Sequence, residues 1–238
     1  MSEWKAKRFW ETASVVSVED GYGIALDGRA VKTPAKQALL VPSRGFAEAI
    51  AAEWDAQEDK INPSKMPFTQ TANAAIDKVA VQHGEVADML AAYGDSDLLC
   101  YRAEQPVELV ARQAAQWDPF LTWVEGALGA RLQARSGVMH IAQDPDALAQ
   151  LSHHVHALNA FELAAFHDLV SLTGSLVLGF AATQNVQPAA DIWRVSRLDE
   201  VWQAEQWGRD EEAEAAAALK QRAFEHAKVV FDLCTADS

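Results

Sequence analysis

The hydrophobic period of this chain changes once, near residue 43, and that change limits the folds open to it. Before it, the pattern is that of strands. Ala13-Ser-Val-Val-Ser-Val18 alternates and is rich in β-branched residues, Glu19-Asp-Gly21 is turn chemistry, and residues 22–26 resume the alternation. Asp27-Gly28 then separates this run from residues 29–33. Two residues of that type predict a type I′ hairpin turn, because both positions need a positive φ, and this gives Asp27 and Gly28 a structural role. Pro34 breaks the returning strand, and residues 37–41 supply another before Pro42.

After Ser43, a predicted N-cap, the period becomes helical. Phe46, Ile50 and Trp54 recur every fourth residue and form one apolar stripe on a helix ending near Gln57. Further helices are predicted over 69–82, 84–93, 106–117, 119–129, 145–159, 161–183, 188–207 and 210–233. Asp118-Pro119 and Asp144-Pro145 each pair an acidic cap with a proline suited to a first helical turn. Extended pieces are expected over 98–102 and 132–141. The predicted class is α+β, with a small antiparallel β domain over 1–68 and a larger, mainly helical domain over 69–238.

Charge narrows the functions. The formal net charge is -14, from 34 acids and 20 bases. A nucleic-acid binder needs a basic footprint and an anionic membrane attracts one, so both partners are disfavoured. Residues 1–70 are nearly balanced, with 10 acids against 9 bases, whereas 71–238 hold 24 acids against 11 bases. The densest run is Asp199 to Glu214, where Arg209 stands alone among seven acids. The longest apolar run, 169–182, is 14 residues, short of the roughly 20 that cross a bilayer, so no membrane insertion is expected. The polar start, Met1 to Arg8, predicts neither a secretory signal nor an organellar presequence.

Catalytic signatures are weak. His153, His154 and His156 cluster, but His154 points away from the other two on a helix, and His167 lies about 20 Å further along. No HExxH spacing occurs, so no metal site is expected. Cys100 and Cys234 belong to no CxxC pair and are predicted to be buried, reduced thiols. Thr173-Gly174-Ser175 is no nucleophile elbow, and Gly21-Tyr22-Gly23 is an isolated GxG in a hairpin. No catalytic residue, cofactor or metal is predicted. What stands out is eight tryptophans. Trp54, Trp117 and Trp123 fall on apolar stripes. Trp193, Trp202 and Trp207 instead share their segment with Arg194, Arg197, Asp199, Glu200 and Glu205, a mixture suited either to a recognition surface or to amphipathic packing.

Seven blocks in order, Arg8-Phe9, Ala25-Leu-Asp-Gly-Arg-Ala-Val-Lys-Thr-Pro34, Ala47 to Gln57 with its Glu53-Trp-Asp55, Leu98-Leu-Cys-Tyr-Arg102, Trp117-Asp-Pro119, His167 to Ser175 and Ser196-Arg-Leu-Asp-Glu-Val-Trp202 continuing to Gly208, resemble the ATP12 family of F1-ATPase assembly chaperones. The resemblance implies a protein that binds the newly made α subunit of F1 and shields it until the α/β hexamer forms, with no nucleotide hydrolysis. It implies a functionally important acid at Asp199, where other members carry Glu, and a structural role for Trp54. The expected partner-binding set is Arg197, Asp199, Glu200, Trp202, Glu205 and Trp207. The expected setting is the cytoplasm of a bacterium, or the mitochondrial matrix in eukaryotic relatives, and the free chain is expected to be a monomer. The alternative class is a small-molecule enzyme of unknown type with a pocket between the β and helical domains.

Overall fold

The computed structural model describes residues 7–137 and 139–235. Trp4 lies outside them. The chain begins with an antiparallel sheet of β1 (Ala13–Val18), β2 (Gly21–Leu26), β3 (Arg29–Ala30) and β4 (Leu40–Val41), with β2 paired to all three others. Ala13 faces Leu26 and Val18 faces Gly21 across the first hairpin, and Leu26 faces Arg29 across the second. Asp27 and Gly28 have φ of 48° and 79°, as the turn requires. The Asp27 carboxylate also accepts hydrogen bonds from the backbone N–H of Thr12 at 3.0 Å and of Glu11 at 3.1 Å, which hold it below the usual carboxylate range.

The strands expected over 29–33 and 37–41 shrink to two residues each. Lys36 adopts a φ of 67°, and the Asp77 carboxylate takes hydrogen bonds from Thr33 Oγ1 and the Ala35 N–H, so the connection is held as a tied loop.

Helix α1 (Arg44–Asp55) packs on β1 and β2, and the Ser43 hydroxyl caps it by accepting from the Phe46 N–H. Its C-terminus is closed by Arg8, whose guanidinium donates to the Asp55 and Gln57 carbonyls at 2.8 and 2.5 Å. Helix α2 (Pro67–Ala74) continues as a π turn to Val79 and is followed by α3 (His83–Ala91). The buried Glu53 carboxylate caps the start of α2, accepting from the Phe68 and Thr69 N–H groups and the Thr69 hydroxyl. Trp54 is half-buried and meets the buried Trp10 edge to face, with centroids 5.2 Å apart.

Beyond these lie β5 (Tyr101–Arg102), α4 (Val107–Leu128), β6 (Arg135–Ser136), α5 (Pro145–His156), α6 (Ala160–Thr173), α7 (Leu176–Thr183), α8 (Ala189–Ser196), α9 (Leu198–Trp207) and α10 (Glu211–Thr235). β5 and β6 pair in parallel over two residues, shorter than the extended pieces expected there.

Three helix boundaries differ from expectation. Pro119 sits inside an unbroken α4, because Asp118 pairs with Arg102 at 2.8 Å instead of capping, while the buried flanking side chains of Trp117 and Phe120 hold the helix together. The helix expected over 161–183 breaks at Gly174, with φ 71°, and Ser175 caps α7 through its hydroxyl. The helix expected over 188–207 breaks at Arg197 into α8 and α9.

The division expected after residue 68 is linear, whereas the chain clusters into one unit of Met1–His83, Asn159–Ala165 and Val229–Ser238 and a second of Gly84–Leu158 and Phe166–Lys228. The recruited segments fill the first unit. Phe161 lies edge-on to Phe46 at 6.2 Å, and Gly45 leaves room for the Leu233 side chain, which a Cβ would meet at 3.1 Å. The core of the second unit gathers Trp117, Phe120, Leu151, Phe166 and Phe224.

Candidate functional site

The mixed aromatic and charged segment occupies α8 and α9. Arg194 and Asp191 pair within α8, at 2.5 Å. Trp193 is buried and tilts against Phe224 with centroids 5.8 Å apart, so most of this tryptophan packs the core.

Helical spacing divides the six expected partner residues between two faces of α9. Asp199, Trp202 and Glu205 face α4. Gln113 is buried there and donates from Nε2 to Asp199 Oδ1 at 2.7 Å, while its Oε1 accepts from the Ala103 N–H at 2.9 Å. Arg112 donates through both Nη atoms to the Glu205 carboxylate, at 2.5 and 3.1 Å, and its guanidinium stands over the Trp202 ring at 5.8 Å. The Arg112 bond holds Glu205 below the usual carboxylate range. Asp199 through one carboxylate oxygen, Glu205 through both and Trp202 through its ring face therefore tie α9 to α4.

The other face carries Arg197, Glu200, Ala204 and Trp207. Arg197 pairs with Glu200 at 2.6 Å. Trp207 is 79% exposed, the most exposed large aromatic among the described residues. Gly208 then ends the helix with a φ of 98°, and Asp210 caps α10 by accepting from the Glu212 and Ala213 N–H groups. From Glu211 to Ala223 no side chain of α10 is buried; from Phe224 onward the helix enters the core. Between this exposed stretch and α8–α9 runs an open groove of about 640 Å³, walled by Trp193, Ala204, Trp207, Ala213 and Ala217.

Sequence reasoning missed Arg112 and Gln113, which lie on a distant helix, and the alanine wall. The one signal for the wall is Ala213 and Ala217 four residues apart within the Ala/Glu-rich run.

The other candidates take structural places. His156 pairs with Asp88 at 2.9 Å and His167 with Asp168 at 3.0 Å, and among the described residues no three His, Cys, Asp or Glu side chains converge to hold a metal ion. Cys100 and Cys234 are free, buried, and pushed by that burial up to about 12. Asp97 is wholly buried. Its carboxylate accepts from the Leu99 N–H, the Ser175 hydroxyl and the Val177 N–H, binding the turn before β5 to the start of α7. No described helix is long and apolar enough to cross a membrane.

Comparison with known proteins agrees with this architecture. The crystal structure of Atp12 from Paracoccus denitrificans matches with a TM-score of 0.94 and 46% identity, covering 98% of this chain and all of that one. An aspartate-to-lysine mutant of the same protein matches with a TM-score of 0.95 and 45% identity over the same 98% of this chain and 100% of that one. The mitochondrial protein atp12 of Schizosaccharomyces pombe is 26% identical over 219 residues, spanning 87% of this chain and 75% of that protein. The family model described as ATP12 chaperone protein matches residues 7–125, half of the sequence, and with full-length structural agreement this chain belongs to the ATP12 chaperone family.

Proposed function

We infer that this chain is an assembly chaperone of the F1 sector of ATP synthase, that it acts in the bacterial cytoplasm, and that its client is the newly made α subunit. The observation that carries the reading, beside family membership, is Trp207. A large aromatic left 79% exposed along an open groove, next to an acid-rich helix start, suits a contact surface for a protein partner. A holding chaperone needs such a surface and no reactive group. Apolar area matches an interface the client has not yet buried, and the surrounding charge speeds encounter and rejects wrong partners.

Co-expression with isolated α and isolated β tests this reading. The expected result is that α becomes soluble and co-purifies with the chain while β does not. Rescue of β alone would assign a different client.

A further inference from the structure

The groove beside α9 is built differently from the α4 face, and its charges indicate what fits it. Each basic group on its walls or rim already has an acid: Arg197 has Glu200, Arg194 has Asp191, and Arg209 has Glu214 at 3.5 Å. Asp210 spends its carboxylate on its own helix start. Among the charged residues that line the groove, Glu200, Asp210 and Glu214 outnumber Arg194 and Arg197, and the exposed Glu211 and Glu212 follow Asp210 directly in the chain, so the surplus beside it is negative. Indole, alanine and Val201 make its apolar wall, with the amides of Gln203 and Gln221 among them. At about 640 Å³ the groove lies within the ~300–1,000 Å³ range of sites that bury a ligand. An apolar, helix-walled trough with an acidic rim complements an amphipathic helix that presents aliphatic side chains to the trough and lysine or arginine to the rim. A second copy of this chain is the poorer occupant, because it brings the same rim and a net charge of -14.

We propose that the groove between α9 and α10, with Trp207 as its anchor, seats a cationic amphipathic helix of the protein client, while Asp199 and Glu205 only hold α9 in position. The proposal rests on the chaperone reading above and adds the place and chemistry of contact.

The test uses two labelled helical peptides, one of Leu and Lys and its Leu/Glu counterpart, titrated by anisotropy against the full chain, Trp207→Ala and Ala217→Phe. One variant removes the anchor and the other fills the trough. Neither changes charge, so a loss cannot come from bulk attraction to an acidic protein. The Leu/Lys peptide should bind the unaltered chain and lose about tenfold or more in affinity with each variant, as for an interface anchor, and the Leu/Glu peptide should not bind. Unchanged Leu/Lys affinity in both variants would overturn the proposal, as would equal binding of the Leu/Glu peptide. Concentration-dependent dimerisation abolished by Trp207→Ala would also overturn it, naming a second copy as the occupant. Co-purification of α separates the two readings. If the unaltered chain captures α and both variants capture it equally well, only the groove assignment fails; if the unaltered chain captures no α, the chaperone reading fails.

Discussion

Gln113 donates a hydrogen bond from its buried side-chain amide to the carboxylate of Asp199, 2.7 Å away. The bond makes Asp199 part of the joint between α4 and α9. Asp199→Asn keeps an acceptor oxygen and should cost under about 1 kcal/mol. Asp199→Lys sets an ammonium donor against an amide donor and leaves the Gln113 amide unmet, at about 1–3 kcal/mol. Urea unfolding of the two variants checks the order, and α capture should follow it, kept by Asn and weakened by Lys. Equal stability losses would remove the joint from the account.

Asp97 gives a pH dependence of stability. Burial pushes its carboxyl up to about 6 from an ordinary 3.8, although three donors favour the charged form. Between those values the native chain holds a proton that the unfolded chain has released. This group's contribution is thus fully present at low pH and lost as pH rises through about 6. The stability difference between the unaltered chain and Asp97→Asn should shrink by about 2 kcal/mol from roughly pH 4 to 7. A difference that does not vary with pH would contradict this.

At Trp54, the indole N–H is buried without a hydrogen-bond partner, and the ring meets Trp10. Trp54→Phe should therefore cost little, within about 1.5 kcal/mol, because it keeps an aromatic ring, though a smaller one, against Trp10 and removes an unmet donor. Trp54→Arg places a charge in that contact beside Arg8, whose guanidinium already stands 5.5 Å over the Trp10 ring, and should cost about 3 kcal/mol or more. Thermal melts of the two variants distinguish them.

Gly179 lies where α7 meets α6. A Cβ there would come 2.7 Å from Val170 Cγ2 and 3.1 Å from Phe166, both fully buried side chains. Gly179→Ala should cost about 1–3 kcal/mol, and Val170→Ala in the same chain should recover on the order of 1 kcal/mol of it. Additive losses in the double variant would show that the crowding lies elsewhere.

Local rules made much of the fold legible. The Asp27-Gly28 turn, the Ser43 cap and the start of α5 at Asp144-Pro145 each depend on a few adjacent residues, and each forms as those residues predict. The failures depend on distant partners. Asp118 does not cap because Arg102 takes its carboxylate, and nothing near Asp97 in sequence announces Ser175 and the Val177 N–H. The segment of the candidate site could be found from its composition, but its division into two faces could not. That division rests on Arg112 and Gln113, some ninety residues away, which draw Asp199 and Glu205 toward α4 and leave Trp207 on the other face.

As a holding chaperone, the chain is expected to bind F1 α and keep it from aggregating. Light scattering of α diluted from denaturant, with and without an equimolar amount of the chain, tests it most directly. Scattering should be suppressed by the unaltered chain and by Asp199→Asn, and return with Trp207→Ala. Aggregation of α at the same rate whether or not the unaltered chain is present would contradict it.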